Sequence, residues 1–173
     1  LQPFRPEFTL PLVESLFNSG QAEEAEKLAR TLLEKQPQLA AAYDVLYLHY
    51  VRSQKDAEAE AVLKDKAAHL GNQASVWLQL ASHYHRVKKF AEMQRALHHL
   101  TSNLKQFPDA YQLAGDFFRL RGDPDKALRY YDQGIAQDAA RRSRYQKAKA
   151  AVLADVGRRT EAIGLLDEIL KTD

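Results

Sequence analysis

The chain contains no cysteine. That removes a disulfide framework, a thiol nucleophile and a thiolate zinc site, while leaving the redox compartment open. Glycine and proline are scarce, at 7 and 6 of 173 residues. A Gly-rich phosphate loop therefore has little material, and neither an HExxH pair nor a nucleophile elbow is present. Long apolar runs are missing as well: a stretch such as "LAAAY" at 39–43 falls far short of the ~20 residues that cross a bilayer. No basic-then-apolar signal pattern begins at Leu1. Finally, no charge of one sign dominates, since 25 Lys and Arg face 23 Asp and Glu. No global field draws the chain toward nucleic acid or a membrane surface, and the carboxylates read as solvating charge. The expectation is a protein that is not an enzyme and needs no cofactor.

What is present is apolar material, 45% of the 173 residues, enough for one ordinary domain or a row of small units. Set against itself at an offset of 34, the sequence aligns Thr9, Tyr43, Trp77, Tyr111 and Tyr145. Three residues further on stand Leu12, Leu46, Leu80, Ala114 and Ala148, and seven further on Leu16, Tyr50, Tyr84, Phe118 and Val152. Those spacings keep one face of a helix apolar. A second amphipathic helix follows, marked by Ala25, Ala59, Met93 and Ala127 and then by Ala29, Leu63, Leu97 and Tyr131. Between the helices lie "NSGQ" (18–21), "RGDPD" (121–125) and "VGRR" (156–159), whose glycines suit tight turns. In the last unit Gly157, Ala162 and Leu166 align only if one residue is inserted between about Ala139 and Val156.

This pattern resembles the tetratricopeptide repeat (TPR), a helix-turn-helix unit of 34 residues. The fourth unit carries the signature most fully, in Tyr111, Ala114, Gly115, Phe118, Gly122, Ala127, Tyr131 and Gly134; the third supplies Trp77, Leu80, Ala81 and Tyr84; the first shows Gly20, Ala25, Ala29, Leu32 and Pro37. The resemblance implies an all-α, right-handed superhelical α-solenoid of about five units and ten helices, one domain over 1–173 with units near 6–39, 40–73, 74–107, 108–141 and 142–173. Each unit buries its face only by stacking on the next. Trp77→Ala should accordingly cost about 3–5 kcal/mol if the ring is fully buried.

The first unit departs from the pattern. Thr9 stands where an aromatic belongs, with Pro11 two residues on, which suits Thr9 as an N-cap and Pro11 in the first turn of a shortened helix after an irregular "LQPFRPEF". At the other end "DEILKTD" brings no polar capping helix, so the array is expected to be cut from a longer protein. The alanine- and glutamine-rich style suggests a bacterial source, with cytoplasm and periplasm both compatible.

Three motifs invite chemistry. Four of the six histidines fall in "HYHRVKKFAEMQRALHHL" (83–100). At 100° per residue His83 and His85 lie about 160° apart on their helix, and His98 and His99 point away from the apolar face of theirs, so no metal site is expected. His49 and His83 share a column and are expected as hydrogen-bonded histidines at repeat junctions. "RGD" at 121–123 sits in an inter-helix turn and is not read as an adhesion motif. The basic run "RRSRYQKAK" (141–149) has only Tyr145 for stacking, a residue the repeat needs for its core, so nucleic-acid binding there ranks below a solvated face.

What the resemblance then implies is binding by shape, to a protein or peptide laid along a groove of first helices. Carried over by column, the partner-binding groove comprises Leu10, Phe17, Leu48, Val51, Arg52, Leu78, His85, Arg86, Gln112 and Arg119, with Glu14, Asn18, Asp44, Ser82 and Asp116 beside them. In the last unit Gln146 or Lys147, and Leu153 or Ala154, share the column. Apolar anchors with an arginine stripe suit an extended or helical peptide bearing hydrophobic side chains and an acid. The family's clamp on a C-terminal carboxylate is excluded, since Leu10, Glu14 and Leu48 occupy the columns where it needs Lys and Asn. A spacer or self-assembly role is the alternative. His85, with a reference pKa near 6.5, is placed to make binding mildly pH-dependent.

Overall fold

A computed structural model of the chain describes residues 5–172; the first four residues of the expected irregular lead-in lie outside the described residues. The elements are α1 (Pro6–Asn18), α2 (Ala22–Lys35), α3 (Ala40–Arg52), α4 (Asp56–Leu70), α5 (Ala74–Arg86), α6 (Phe90–Thr101), α7 (Ala110–Arg119), α8 (Pro124–Gln137), α9 (Arg142–Asp155) and α10 (Arg159–Thr172), with a 3-10 turn at Ala139–Arg141. Among the described residues the protein is thus all-α, ten helices in five helix-turn-helix pairs. They form two compact units, Leu1–Gln94 and Arg95–Asp173.

Local chemistry accounts for these helices. Glu23 and Glu24 open α2, Asp56 and Glu58 open α4, and Lys35, Arg52 and Arg119 close α2, α3 and α7, each complementing the helix dipole. Asp123 caps α8 by accepting from the Lys126 backbone N–H, and Pro124 follows in the first turn. In α2 the buried residues Ala25, Ala29, Leu32 and Leu33 trace one face at helical spacing.

Each pair closes with the same turn. Two residues past the first helix, or three past α7, the backbone turns left-handed, at Gly20, Gln54, Lys88, Gly122 and Gly157 (φ 82, 58, 60, 71 and 81). The following N–H then reaches five residues back: Gln21 to Leu16, Lys55 to Tyr50, Lys89 to Tyr84, Asp123 to Phe118 and Arg158 to Leu153, all at 2.8–3.0 Å. This is the Schellman closure, which glycine adopts freely. Gln54 and Lys88 adopt it as L-residues, at a cost of roughly 1–2 kcal/mol each, because their turns keep the same five-residue closure.

The extra residue of the last pair is absorbed at the α8–α9 connection, where the 3-10 turn lies. From Gln146 onward the buried positions follow an offset of 35: Gln146, Ala150, Val152 and Leu153 stand where Tyr111, Gly115, Phe117 and Phe118 stand in α7. Lys147 and Ala154, both exposed, therefore take the outward column that Gln146 and Leu153 had shared with them.

In the first unit the core runs from Val13 through Ala25, Ala29, Leu32, Tyr43, Leu46, Tyr50 and Ala59 to Val76. In the second unit two glycines let helices approach closely. A Cβ on Gly115 of α7 would overlap the Tyr131 ring of α8, and one on Gly134 of α8 would stand 2.9 Å from the Tyr145 ring of α9.

Two expectations are corrected. Thr9 is no N-cap: α1 begins at Pro6, and Thr9 lies buried within it, its hydroxyl donating to the Arg5 carbonyl at 2.9 Å. Pro11 accordingly sits in the helix interior rather than its first turn, because Pro6 already occupies the first-turn position that needs no N–H partner. Trp77 is only half-buried and its indole N–H donates to the Gly71 carbonyl at 2.8 Å, so the condition for a full core cost is not met.

The helix glycines should respond oppositely to alanine. Gly115→Ala should lower stability by about 1–3 kcal/mol through overpacking, whereas Gly164→Ala, with nothing within 4 Å, should raise it by up to about 1 kcal/mol. Urea unfolding followed by circular dichroism reads both; equal midpoints for Gly115→Ala and the parent would refute the tight contact.

Candidate functional site

Along α1, Glu14, Phe17 and Asn18 recur at helical spacing on one side; along α3, Val45, Leu48, His49 and Arg52 do the same. With Ser53 they line one open depression of about 720 Å³ in the first unit. Phe17 and His49 stack across it, ring centroids 4.0 Å apart and planes 19° apart. His49 Nε2 stands 3.6 Å from Glu26, which also accepts a hydrogen bond from the Tyr50 hydroxyl at 2.7 Å. Leu48 is 48% exposed at the floor. Arg52 is exposed, and among the described residues no carboxylate pairs with it. An apolar floor beside an unneutralised guanidinium can seat a hydrophobic side chain and an adjacent carboxylate.

Of the ten residues expected in the groove, Phe17, Leu48 and Arg52 meet in this depression. Leu10 and Val51 are half-buried and pack against the core of the first unit. On α5, Leu78 and His85 are half-buried, and the His85 ring meets Phe90 edge-on at 6.1 Å. Arg86 donates to Asp56 at 2.7 Å and stands 3.3 Å from His83 Nδ1. In the second unit Gln112 donates to Asp116 at 3.2 Å, and Arg119 stands 3.5 Å from the same carboxylate. The expected arginine stripe is therefore already paired at two of its three positions.

Sequence reasoning missed a polar network beside these columns. Lys66 on α4 is buried and donates to Asp44 of α3 at 2.6 Å and to Gln79 of α5 at 2.8 Å; Gln79 in turn donates to Asp44 at 2.7 Å. In the repeat register Lys66 takes the place of Leu32 and Leu100, both fully buried. A lysine at a leucine column was the available signal. A further motif recurs at 34 residues: Glu26, His49 and Tyr50 become Glu60, His83 and Tyr84. Lys64 and Lys89 both bond Glu60, at 2.6 Å each, and hold its carboxyl down to about 2.

The other motifs are engaged in structure. In "RGD", Arg121 folds over the Phe117 ring at 3.5 Å and donates to the Phe117 carbonyl, Gly122 forms the turn and Asp123 caps α8. Within the basic run, Arg144 bonds Asp109 and Lys149 bonds Asp132, both at 2.5 Å, while Arg141 lies 3.4 Å from Asp138. These carboxylates neutralise much of the charge a phosphate backbone would need. His83 is fully buried against Tyr47 and Tyr84, and its Nε2 has no hydrogen-bond partner among the described residues. His49 and His83 thus sit at repeat junctions as their shared column implies, though only His49 faces a carboxylate within 4 Å. Among the described residues no group of three or more His, Asp or Glu is placed to hold a metal, and no helix is long and apolar enough to cross a membrane.

No family model and no curated protein matches the sequence. Solved structures do match. The nearly identical TPR-like repeats of a Podosopora anserina protein align at 17% identity and a TM-score of 0.52, over 98% of this chain and 95% of that one. PilF of Pseudomonas aeruginosa aligns at 15% and 0.51, over 96% and 76%. A tetratricopeptide repeat protein of Parabacteroides merdae aligns at 11% and 0.51, over 98% and 66%. At such identities the likeness establishes the fold: these helix pairs are arranged as in TPR proteins.

Buried His83 and half-buried His49 should make folding pH-dependent. Burial first, and then the neighbouring Arg86, push the His83 pKa down from its ordinary value, and burial does the same to His49. The unfolded chain therefore binds more protons below about pH 6.5, and stability falls as pH drops through that value. His83→Phe, which installs the residue found at Phe117 in the same column, should remove much of this slope. Urea midpoints between pH 7.5 and 5.5 report it; the same loss in the variant as in the parent would contradict the assignment.

Proposed function

We propose that this TPR-fold chain is a non-catalytic interaction module whose α1–α3 depression holds a peptide segment of a protein partner. The observation that carries the reading is the juxtaposition of Phe17, Leu48 and unpaired Arg52 around one open cleft. Leu48 and the stacked Phe17 and His49 rings offer an apolar seat for an aliphatic or aromatic side chain. Arg52 offers a bidentate donor to a carboxylate one helical turn or two extended residues away. TPR folds are generally non-catalytic protein-binding scaffolds, which supports the class of function.

Within the proposed groove the residues take different weights. Arg86 and Arg119 act first on Asp56 and Asp116, so an incoming acid competes with an existing pair and gains little there. Leu10, Val51, Leu78 and His85 belong to the proposed binding surface of the first unit, and Gln112 to that of the second. Arg52 is the specificity-giving charge, and Leu48 the residue whose burial drives binding, worth roughly 1.5–3 kcal/mol if fully covered.

Selection of short random peptides displayed on phage tests this. Immobilised protein should enrich sequences that pair an acidic residue with a bulky apolar one, and Arg52→Glu should fail to enrich the same pool while keeping its helical circular dichroism. Recovery of the same pool by Arg52→Glu would sink the reading.

A further inference from the structure

Two opposite charges face the α1–α3 depression from different helices, Glu14 on α1 and Arg52 on α3. Both residues are exposed, and among the described residues Glu14 pairs with no cation and Arg52 with no carboxylate, so they do not pair with each other either. Other charges of the first unit are taken up: Arg86 by Asp56, Lys66 by Asp44 and Lys89 by Glu60.

The remaining lining adds no charge at neutral pH. Asn18 and Ser53 are polar and neutral, Phe17, Val45 and Leu48 are apolar, and burial holds the His49 imidazole below its ordinary pKa despite Glu26 beside it. The lining is therefore a dipole of zero net charge, negative on α1 and positive on α3. A ligand that brings only an acid gains at Arg52 and loses at Glu14, whereas one that brings an acid and a base in matching order gains at both.

Helix geometry sets the spacing. Glu14 and Leu48 are 34 residues apart in sequence and hold the same register position on α1 and α3, which pack on each other, with axes ~8–10 Å apart as packed helices have. Arg52 follows Leu48 by one turn of α3, a rise of ~6 Å. An extended chain advances ~3.3 Å per residue, so about two residues reach from Leu48 to Arg52 and about three from Leu48 to Glu14.

Resting on the peptide-binding reading above, we propose that Glu14 is a second specificity-determining residue of that site. The partner segment carries a basic, an apolar and an acidic residue in that linear order, with the base on Glu14, the apolar side chain on Leu48 and Phe17, and the acid on Arg52. Like charges would face each other in the reversed arrangement, which fixes the end of the segment that lies on each helix. Phe8 and Leu12, exposed on the opposite side of α1, take no part.

Selection of phage-displayed random peptides on the parent, on Glu14→Gln and on Glu14→Lys tests this, each protein first checked for helical circular dichroism. The parent should enrich a base about three residues from the apolar position, on the side away from the acid. Glu14→Gln should keep the acid and the apolar residue and lose the base; Glu14→Lys should enrich a second acid in its place. A synthetic peptide of the parent pool then closes a double-mutant cycle: replacing its base by alanine should weaken binding to the parent about threefold and leave the Kd for Glu14→Gln unchanged. A parent pool with acid and apolar residue but no base, a base-bearing pool from Glu14→Lys, or an equal loss on both proteins would each overturn the proposal while leaving the Arg52 reading in place. A parent that enriches no acid-and-apolar pool removes that reading and this proposal with it. If Glu14→Lys loses its helicity, the Glu14→Gln selection and the cycle decide alone.

Discussion

The structure depends on the seating of an aromatic first-helix residue against the second helix before it. Tyr145 lying on Gly134 is the tightest instance. Two antiparallel helices joined by a short turn bury one face each against the other, but the pair has a second apolar face that only a neighbour can cover. Where a small residue stands on one helix and a ring on the next, the backbones approach closely and the ring fills the gap. Tyr43 and Tyr145 add polar anchors at the same place, their hydroxyls donating to the Pro37 carbonyl at 3.0 Å and to the Asp138 carboxylate at 2.8 Å. Burial and hydrogen bonding keep the Tyr145 phenol well above its ordinary pKa. Packing and capping are thus achieved by one side chain.

Much of this was readable because a 34-residue period constrains many positions at once. The aromatic column, the small residues of the second helices, the Gly turns and the one-residue insertion all follow from alignment of the chain with itself. Individual side chains were harder, for physical reasons that particular residues illustrate. Thr9 suits an N-cap and equally a helix interior where its hydroxyl bonds the carbonyl four residues back; what decides is Pro6, which starts α1 three residues earlier. Gln54 and Lys88 carry no glycine signal, yet their turns adopt the same left-handed geometry because five-residue closure demands it.

The candidate site was legible as a set of columns and not as a set of charges. Register places Arg52 and Arg86 alike and Arg119 one position away, in the column of His85, but their partners lie on other helices or depend on a rotamer. Asp56 claims Arg86 from 30 residues away, and Asp116 claims Arg119 from the previous turn of α7. The Asp44–Lys66–Gln79 network draws on three helices, so no single helical face reveals it. A lysine at one leucine column, held by groups on two other helices, distinguishes this repeat from those that carry Leu32 and Leu100 there. The function proposed for this scaffold would follow the same division, with a regular apolar frame beneath and Arg52, unpaired among the described residues, as the proposed partner contact.

If stacking is what stabilises each pair, protection should follow the number of covered faces. Native-state hydrogen exchange in dilute solution reads this helix by helix. The account predicts slow exchange in the helices covered on both sides, α3, α4 and α8, and markedly faster exchange in α1 and α10, each of which leaves an apolar face open. Protection of the α10 amides equal to that of α8 would contradict the claim that helix pairs owe their stability to their neighbours.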